Sequence, residues 1–330
     1  MKPMPNVVTI GGGTGTFVVL SGLKNYPIKL SAVISMMDSG GSTGRLKDQL
    51  GVLPPGDLRQ ALVALSESED IWRKLFTYRF DNGDLKGHNF GNIFLSALEK
   101  ITGSTPDSVQ YAMRVLQTQG EVIPVTLDRS SLCALYEDGT SFCQESEIDE
   151  YAGKSKISKM YLEPNALINI DAKHAIERAD YIIFGPGDLY TSILPNLLVQ
   201  GMPEILANLN AKKIFIVNLM TRAGQTDDYK VSDFVKKIEE YMRGEPLDYI
   251  LINSEPFGKG IIRIYKEIDN AVPVLDDIEG DTYHEAKVIR TNLLSNNLFK
   301  PSKSDTVKRS LLRHDSGKLA ETLFKILSMN

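Results

Sequence analysis

No uninterrupted apolar run approaches 18 residues, so an ordinary membrane-spanning helix is not expected. A signal peptide is not expected either, because Met1 to Asn6 leads straight into an apolar strand pattern. The expected location is the cytoplasm, without membrane insertion. Charge of one sign is not concentrated: 37 Lys and Arg against 42 Asp and Glu leave a formal charge of −5, which argues against nucleic acid or a membrane surface as partner. Histidine is scarce, and His88, His174, His284 and His314 fall at no metal-ligand spacing. The two cysteines make no zinc motif, so no structural metal is expected. Cys133 and Cys143 flank Asp138-Gly139; read as a two-residue hairpin turn, this pairs position 133 with 144 and puts the thiols on opposite faces, which predicts no disulfide. No Gly-Lys-Ser/Thr follows the first glycine cluster, which excludes a P-loop.

What is present is a short apolar run, Val7 to Ile10, that ends in Gly11, Gly12, Gly13, Thr14, Gly15 and Thr16 before an apolar helix from Phe17 to Leu23. This reads as a buried parallel strand, a glycine loop and a helix. Residues without side chains let backbone amides approach a ligand, and the helix N-terminus adds partial positive charge, so the loop is a candidate cradle for phosphate. Gly11 and Gly13 fit the first two glycines of the dinucleotide fingerprint, but Thr16 stands where the third belongs. A second apolar strand, Ile28 to Met37, ends at Asp38 and continues as Ser39, Gly40, Gly41, Ser42, Thr43 and Gly44. A carboxylate at the tip of the second strand is where a doubly wound fold meets ribose hydroxyls, and the second glycine loop beside it doubles the supply of backbone donors.

From 45 to 119 the periodicity is helical, interrupted by polar islands at 53–59 and 87–92. In these, Asp57 suits a helix N-cap, and Asn89 and Asn92 read equally as caps or as ligand groups. Residues 121–162 turn β-rich, at Val122 to Leu127, Leu132 to Tyr136 and Ser141 to Gln144; these read as a small meander, a packing or dimer surface, followed by a solvated charged linker from Lys154 to Lys159. Apolar strands then return, each ending in polar residues. Tyr181 to Gly185 runs into Gly187, Asp188, Tyr190, Thr191 and Ser192; Lys213 to Val217 runs into Asn218, Thr221 and Arg222; Tyr249 to Ile252 ends at Asn253. Parallel strands open on one edge of a sheet, so these loops are expected to surround one site. The fold class expected is α/β: a Rossmann-like three-layer α/β/α domain with a mainly parallel sheet. It has a core from 1–45 and 165–295, an inserted helical and meander lobe at 46–164, and a C-terminal segment at 296–330. Two-fold assembly being the commonest, a homodimer is expected.

The segments GGGTGT, MMDSGGSTGRL, LPPGDLRQALVAL, GHNFGNIFLSAL, ADYIIFGPGDLYTSILPNLL, NLMT with GQTD, and LLRHD resemble the YvcK-type gluconeogenesis factors, relatives of the 2-phospho-L-lactate transferase CofD. The resemblance runs nearly end to end. It implies a CofD-like domain in a cytoplasmic regulator, needed for cell shape and for growth on gluconeogenic carbon. That regulator would bind UDP-sugars such as UDP-N-acetylglucosamine and act through an unidentified protein partner. The transferase branch usually continues its second strand as Asn-Thr-Gly-Asp-Asp, where this chain reads Asp38 to Ser42. On this reading the amides of Gly12 to Thr16 and Gly40 to Thr43 hold the diphosphate, Asp38 or Asn218 meets hydroxyls, and Arg45, Arg222 or Arg313 supplies the cation. Tyr265 is either a stacking residue or an ordinary core or surface tyrosine. Two departures from the family pattern are Asp188, where serine is usual, and an extra polar loop from Asn296 to Ser310. Asp188 either repels phosphate or caps the following helix. The alternatives are a CofD-like phosphoryl transferase using Mg2+ on Asp38, Asp57 and Asp188, and an NAD-binding oxidoreductase.

Overall fold

A computed structural model describes residues 3–151, 155–299 and 310–329. Its eleven strands are β1 (Asn6–Gly11), β2 (Lys29–Ile34), β3 (Glu121–Pro124), β4 (Ser131–Tyr136), β5 (Ser141–Phe142), β6 (Ile157–Glu163), β7 (Tyr181–Phe184), β8 (Lys212–Ile216), β9 (Tyr249–Asn253), β10 (Thr282–Tyr283) and β11 (Ala286–Thr291). Eight of them form one sheet in the order β10-β11-β9-β8-β7-β1-β2-β3. Every pairing in it is parallel except β10 with β11. Helices α1 (Gly13–Leu23), α2 (Gly41–Leu50), α3 (Pro55–Leu65), α4 (Asp70–Thr77), α5 (Phe90–Thr102) and α6 (Thr105–Leu116) follow the first two strands. The short α7 (Glu145–Glu150) and α8 (Ile170–Glu177) precede β7. A π-helical turn at Leu189–Ile193 then leads through α9 (Leu194–Leu197), α10 (Met202–Ala207), α11 (Val231–Tyr241) and α12 (Lys259–Asp269) to the C-terminal α13 (Ser316–Leu327).

The α/β, Rossmann-like class expected from the apolar strand runs is the observed one. Tyr181 to Phe184 and Ile214 to Ile216 are all at most 3% exposed, as strands covered by helices on both faces must be. Three strands step outward from β1 through β2 to β3, and the rest step the other way from β7, so the topological switch point lies between β1 and β7. Gly11 pairs with Ile34 and Ile10 with Phe184, which brings the loops after β1, β2 and β7 out level at one sheet edge. α1 packs against α3 and α13. Among the described residues no helix is long and apolar enough to cross a membrane.

The β-rich stretch differs from the expected meander. β3 pairs parallel with β2 as the edge strand of the main sheet, Val122 facing Ala32, and the small sheet is β5-β4-β6. Its third strand begins inside the expected charged linker: Ser158 and Lys159 are exposed while Met160 and Leu162 are buried, so the polar start hides a one-sided strand. Lys154 lies outside the described residues, as do 300–309 of the extra polar loop.

The cysteine expectation is also overturned, since Cys133 and Cys143 form a disulfide with Cα atoms 4.0 Å apart. The hairpin closes between Tyr136 and Thr140, leaving three residues in the turn instead of two. Ala134 therefore faces Phe142, one register step from the expected pairing, and that step brings both thiols to the same face.

Candidate functional site

The two glycine loops and the loop after β7 meet at the switch point. Gly12, the N-cap of α1, is extended, while Gly13 turns with φ +63°. A Cβ on Gly15 would stand 1.8 Å from the carbonyl oxygen of Pro186, so the β1 and β7 loops touch backbone to backbone. The Asn218 amide donates to Gly187 O at 2.7 Å and ties the β8 loop to the same place. Ser192 Oγ is 3.9 Å from the position of a Cβ on Gly13. In the second loop, Asp38 Oδ1 accepts from Gly40 N at 2.9 Å, and Oδ2 would lie 2.2 Å from a Cβ on Gly56.

Asp57 joins this group. Pro54 is the residue that caps α3, and a Cβ on Gly12 would come 2.3 Å from Asp57 Oδ2. The carboxylate therefore leans on the first glycine loop, a placement that its cap-like sequence context conceals.

Behind the second loop, Asn89 caps α5 by accepting from Asn92 N, and Asn92 donates to Thr43 Oγ1 while accepting from Arg59 Nε at 2.8 Å. Ser42 Oγ lies 3.3 Å from His88 Nδ1 and accepts from Asn89 N. Both asparagines are 3% exposed or less, so they brace the loop from behind.

The small-sheet lobe closes the far side through α7, whose acidic sequence carries no motif. Ser146 N donates to Ser39 Oγ at 2.9 Å, and Ser39 N donates to Glu145 Oε2. Asp149 Oδ1 accepts from Gln225 Nε2 at 2.7 Å and from Thr191 Oγ1 at 3.2 Å, while Oδ2 pairs with Arg222 at 3.3 Å. One short helix thus touches the loops after β2, β7 and β8. Burial, followed by the charges of Asp38, Asp149 and Asp57, holds the Glu145 carboxyl well above its ordinary range. Burial and then Asp188 push Asp149 to about 6, against the opposing pull of Arg222. The Asp188 side chain makes no cap bond to the turn that follows, and its charge acts on Asp149 and Arg222 instead.

Other expected residues are spent elsewhere. Tyr190 is 2% exposed and bonds to the Tyr229 hydroxyl at 2.7 Å; Thr221 Oγ1 accepts from Val272 N. Tyr265 sits in a second apolar cluster with Leu219, Met220 and Leu312, its hydroxyl bound to Ser310 and to Leu312 N. Arg45 is exposed and donates to Lys86 O. Of the three candidate cations, Arg222 is the one joined to the acid group beside the loops, while Arg313 stacks its guanidinium 3.3 Å above the Phe299 ring. Gly11 lies close under Thr16, whose hydroxyl donates to Gly12 O.

Backbone amides at a helix N-terminus suit phosphate, and the surrounding acceptors, Asp38, Asp149, Asp188 and Gln225, suit hydroxyl or amide donors. Among the described residues no group of three or more His, Cys, Asp or Glu is placed to hold a metal ion. Asp38, in the second glycine loop, and Asp57, on α3 against the first, are carboxylates of the type that binds Mg2+ together with phosphates.

Known proteins share this arrangement of strands and loops. A family model described as 2-phospho-L-lactate transferase CofD matches residues 7–294. The gluconeogenesis factor of Bacillus subtilis is 39% identical over 329 residues, covering 99% of both chains. That of Listeria innocua is 42% identical over 260 residues, 78% of this chain and 80% of that protein. A crystal structure of a upf0052-family protein from Bacillus halodurans superposes with a TM-score of 0.88 at 36% identity, covering 98% of this chain and 99% of that one. With the sheet order, the paired glycine loops and these likenesses together, the chain belongs to the CofD family, among its gluconeogenesis factors.

Proposed function

We propose that the protein is a nucleotide-sugar-binding regulator, with UDP-N-acetylglucosamine as the ligand type, acting in cell shape and growth on gluconeogenic carbon. The observation that carries this is the meeting of the first glycine loop with the loop after β7 at the switch point, Gly15 against Pro186, with Asp38 in the second glycine loop after the adjacent strand β2. Amides of Gly12 to Thr16 and Gly40 to Thr43 hold the diphosphate. Asp38 accepts from ribose or sugar hydroxyls, and Arg222, already among the acids, offsets charge. The relatives' name, gluconeogenesis factor, supports the physiological half of the reading. A thermal-shift panel of UDP-N-acetylglucosamine, UDP and NAD, in EDTA and in Mg2+, tests it, because a ligand at 100 times its Kd stabilises by roughly 2.7 kcal/mol. A shift with the UDP ligands that persists in EDTA is expected; none with any nucleotide refutes it.

A second reading has its own observation. Asp38 and Asp57 reach both glycine loops, and with Mg2+ they would bind a phosphorylated donor as a CofD-type transferase does. Binding that appears only with Mg2+ and is abolished by Asp57→Asn favours it.

A further inference from the structure

We propose that the cavity between α1 and the segments 295–299 and 313–316 receives the nucleobase of the ligand, a flat heteroaromatic ring whose phosphates lie on the glycine loops; this rests on the nucleotide reading above. The cavity measures about 440 Å³ and is lined by Phe17, Ser21, Asn297, Leu298, Phe299 and Arg313, among others. That volume falls in the range of small-molecule sites, which are mostly apolar with a few placed polar groups.

Its position follows from the chain. Phe17 and Val18 come directly after Thr16, so at 1.5 Å rise per residue the cavity begins about 6 Å along α1 from Gly13. On the other wall, His314 bonds to the backbone of Val217, the residue that follows β8, and Leu293 N donates to Asn253 Oδ1 at the end of β9. The cavity therefore lies at the same sheet edge as the glycine loops.

Its chemistry suits a ring better than a sugar. The Arg313 guanidinium carbon lies over the Phe299 ring, 3.3 Å from its centroid, a cation–aromatic contact in the wall, and Phe17 and Leu298 supply apolar surface. Polar groups are few and mostly uncharged: Ser21 and the Asn297 side chain offer donors and acceptors of the kind that base edges use, while Ser295 Oγ bonds to the Asn297 backbone. Asp315 is engaged as the N-cap of α13, bound by Gly317 N and Lys318 N. His314 is 7% exposed, and its Nε2 has no hydrogen-bond partner among the described residues, a buried polar atom that a ligand or water would satisfy. The acceptor-rich group around Asp149 and Asp188 is left for hydroxyls, so the ligand's apolar and polar ends meet matching surfaces.

Two variants test this. Ser21→Phe fills the cavity from a half-buried position on α1, and Phe299→Ala removes the stacking platform. Each is titrated by calorimetry with UDP-N-acetylglucosamine and with N-acetylglucosamine 1-phosphate, which lacks the base, after a melting curve confirms folding. Nucleotide-sugar affinity should fall about five- to a hundredfold in Phe299→Ala, the range given by stacked bases on aromatic side chains, and at least about tenfold in Ser21→Phe. Any binding of the sugar phosphate should be unchanged. Two folded variants that bind UDP-N-acetylglucosamine within twofold of wild type overturn the base site and leave the proposed function standing. A wild type that binds no nucleotide overturns both.

Discussion

Replacing Gly15 by alanine examines the contact that joins the two halves of the fold. Gly15 has ordinary helical geometry inside α1, where alanine is normally preferred by about 1 kcal/mol, so any loss must come from its neighbours. The new methyl would meet the Pro186 carbonyl oxygen at 1.8 Å and its carbon at 2.4 Å. Both atoms are backbone, so no rotamer change relieves the overlap. Ordinary contact requires the β1 and β7 loops to part by about 1.5 Å or more. Overpacking by one methyl typically costs 1–3 kcal/mol, and with backbone on both sides the upper end, about 3 kcal/mol, is expected. Nucleotide-sugar affinity should fall in parallel, because the amides of Gly12 to Thr16 move with the loop. Gly260→Ala, in α12 with nothing within 4 Å, is the control and should be neutral or stabilising by up to about 1 kcal/mol. Urea midpoints and calorimetric titrations give both readouts. If Gly15→Ala matches wild type within about 0.5 kcal/mol and binds equally well, the two loops are not interlocked and the site is not built as described.

Gly12→Ala clashes with a side chain, Asp57 Oδ2 at 2.3 Å, so its cost should be relieved in the Gly12→Ala/Asp57→Ala double variant, with a coupling of about 0.5–3 kcal/mol by urea denaturation; additive effects would remove Asp57 from the loop. Reducing the disulfide, or Cys133→Ser with Cys143→Ser, opens a hairpin of sequence separation 10 and should cost about 2–3 kcal/mol by the chain-entropy estimate, read from denaturation with and without dithiothreitol. Asp149 has a folded pKa of about 6 against an ordinary 3.8, so the folded state holds its proton more tightly. That contribution is full below pH 4 and is lost as pH rises through 6, so Asp149→Asn should gain on wild type between pH 4 and 7 by up to about 2–3 kcal/mol; a gap that does not change with pH contradicts it.

The central sheet was legible because buried parallel strands are continuous apolar runs, and the loops because glycine clusters ended them. What the sequence concealed depends on distant partners or on facing direction. β6 begins in a lysine-bearing stretch and reveals its buried side only against β4. The Cys133–Cys143 register turned on whether the turn held two residues or three, which an Asp-Gly pair does not decide alone. Tyr190 and Thr221 follow strand ends and Tyr265 lies in α12; all three have the right polar types, yet each turns inward to a partner. Glu145 and Asp149 lie in an unremarkable acidic helix and reach the site only because the small sheet folds back over the loop after β2. Asp57 was visible, but as a cap; its contact with Gly12 needs the packing of α3 on α1.

The most direct measurement is a calorimetric titration of wild type and Asp38→Ala with UDP-N-acetylglucosamine in EDTA. Asp38 closes the turn at Gly40 and is assigned one or two charge-assisted bonds to ligand hydroxyls, each worth roughly 1.5–3 kcal/mol. The account predicts saturable wild-type binding without metal and a loss of about ten- to a hundredfold or more in the variant. Tight wild-type binding that Asp38→Ala leaves intact, or no wild-type binding at all, would contradict it.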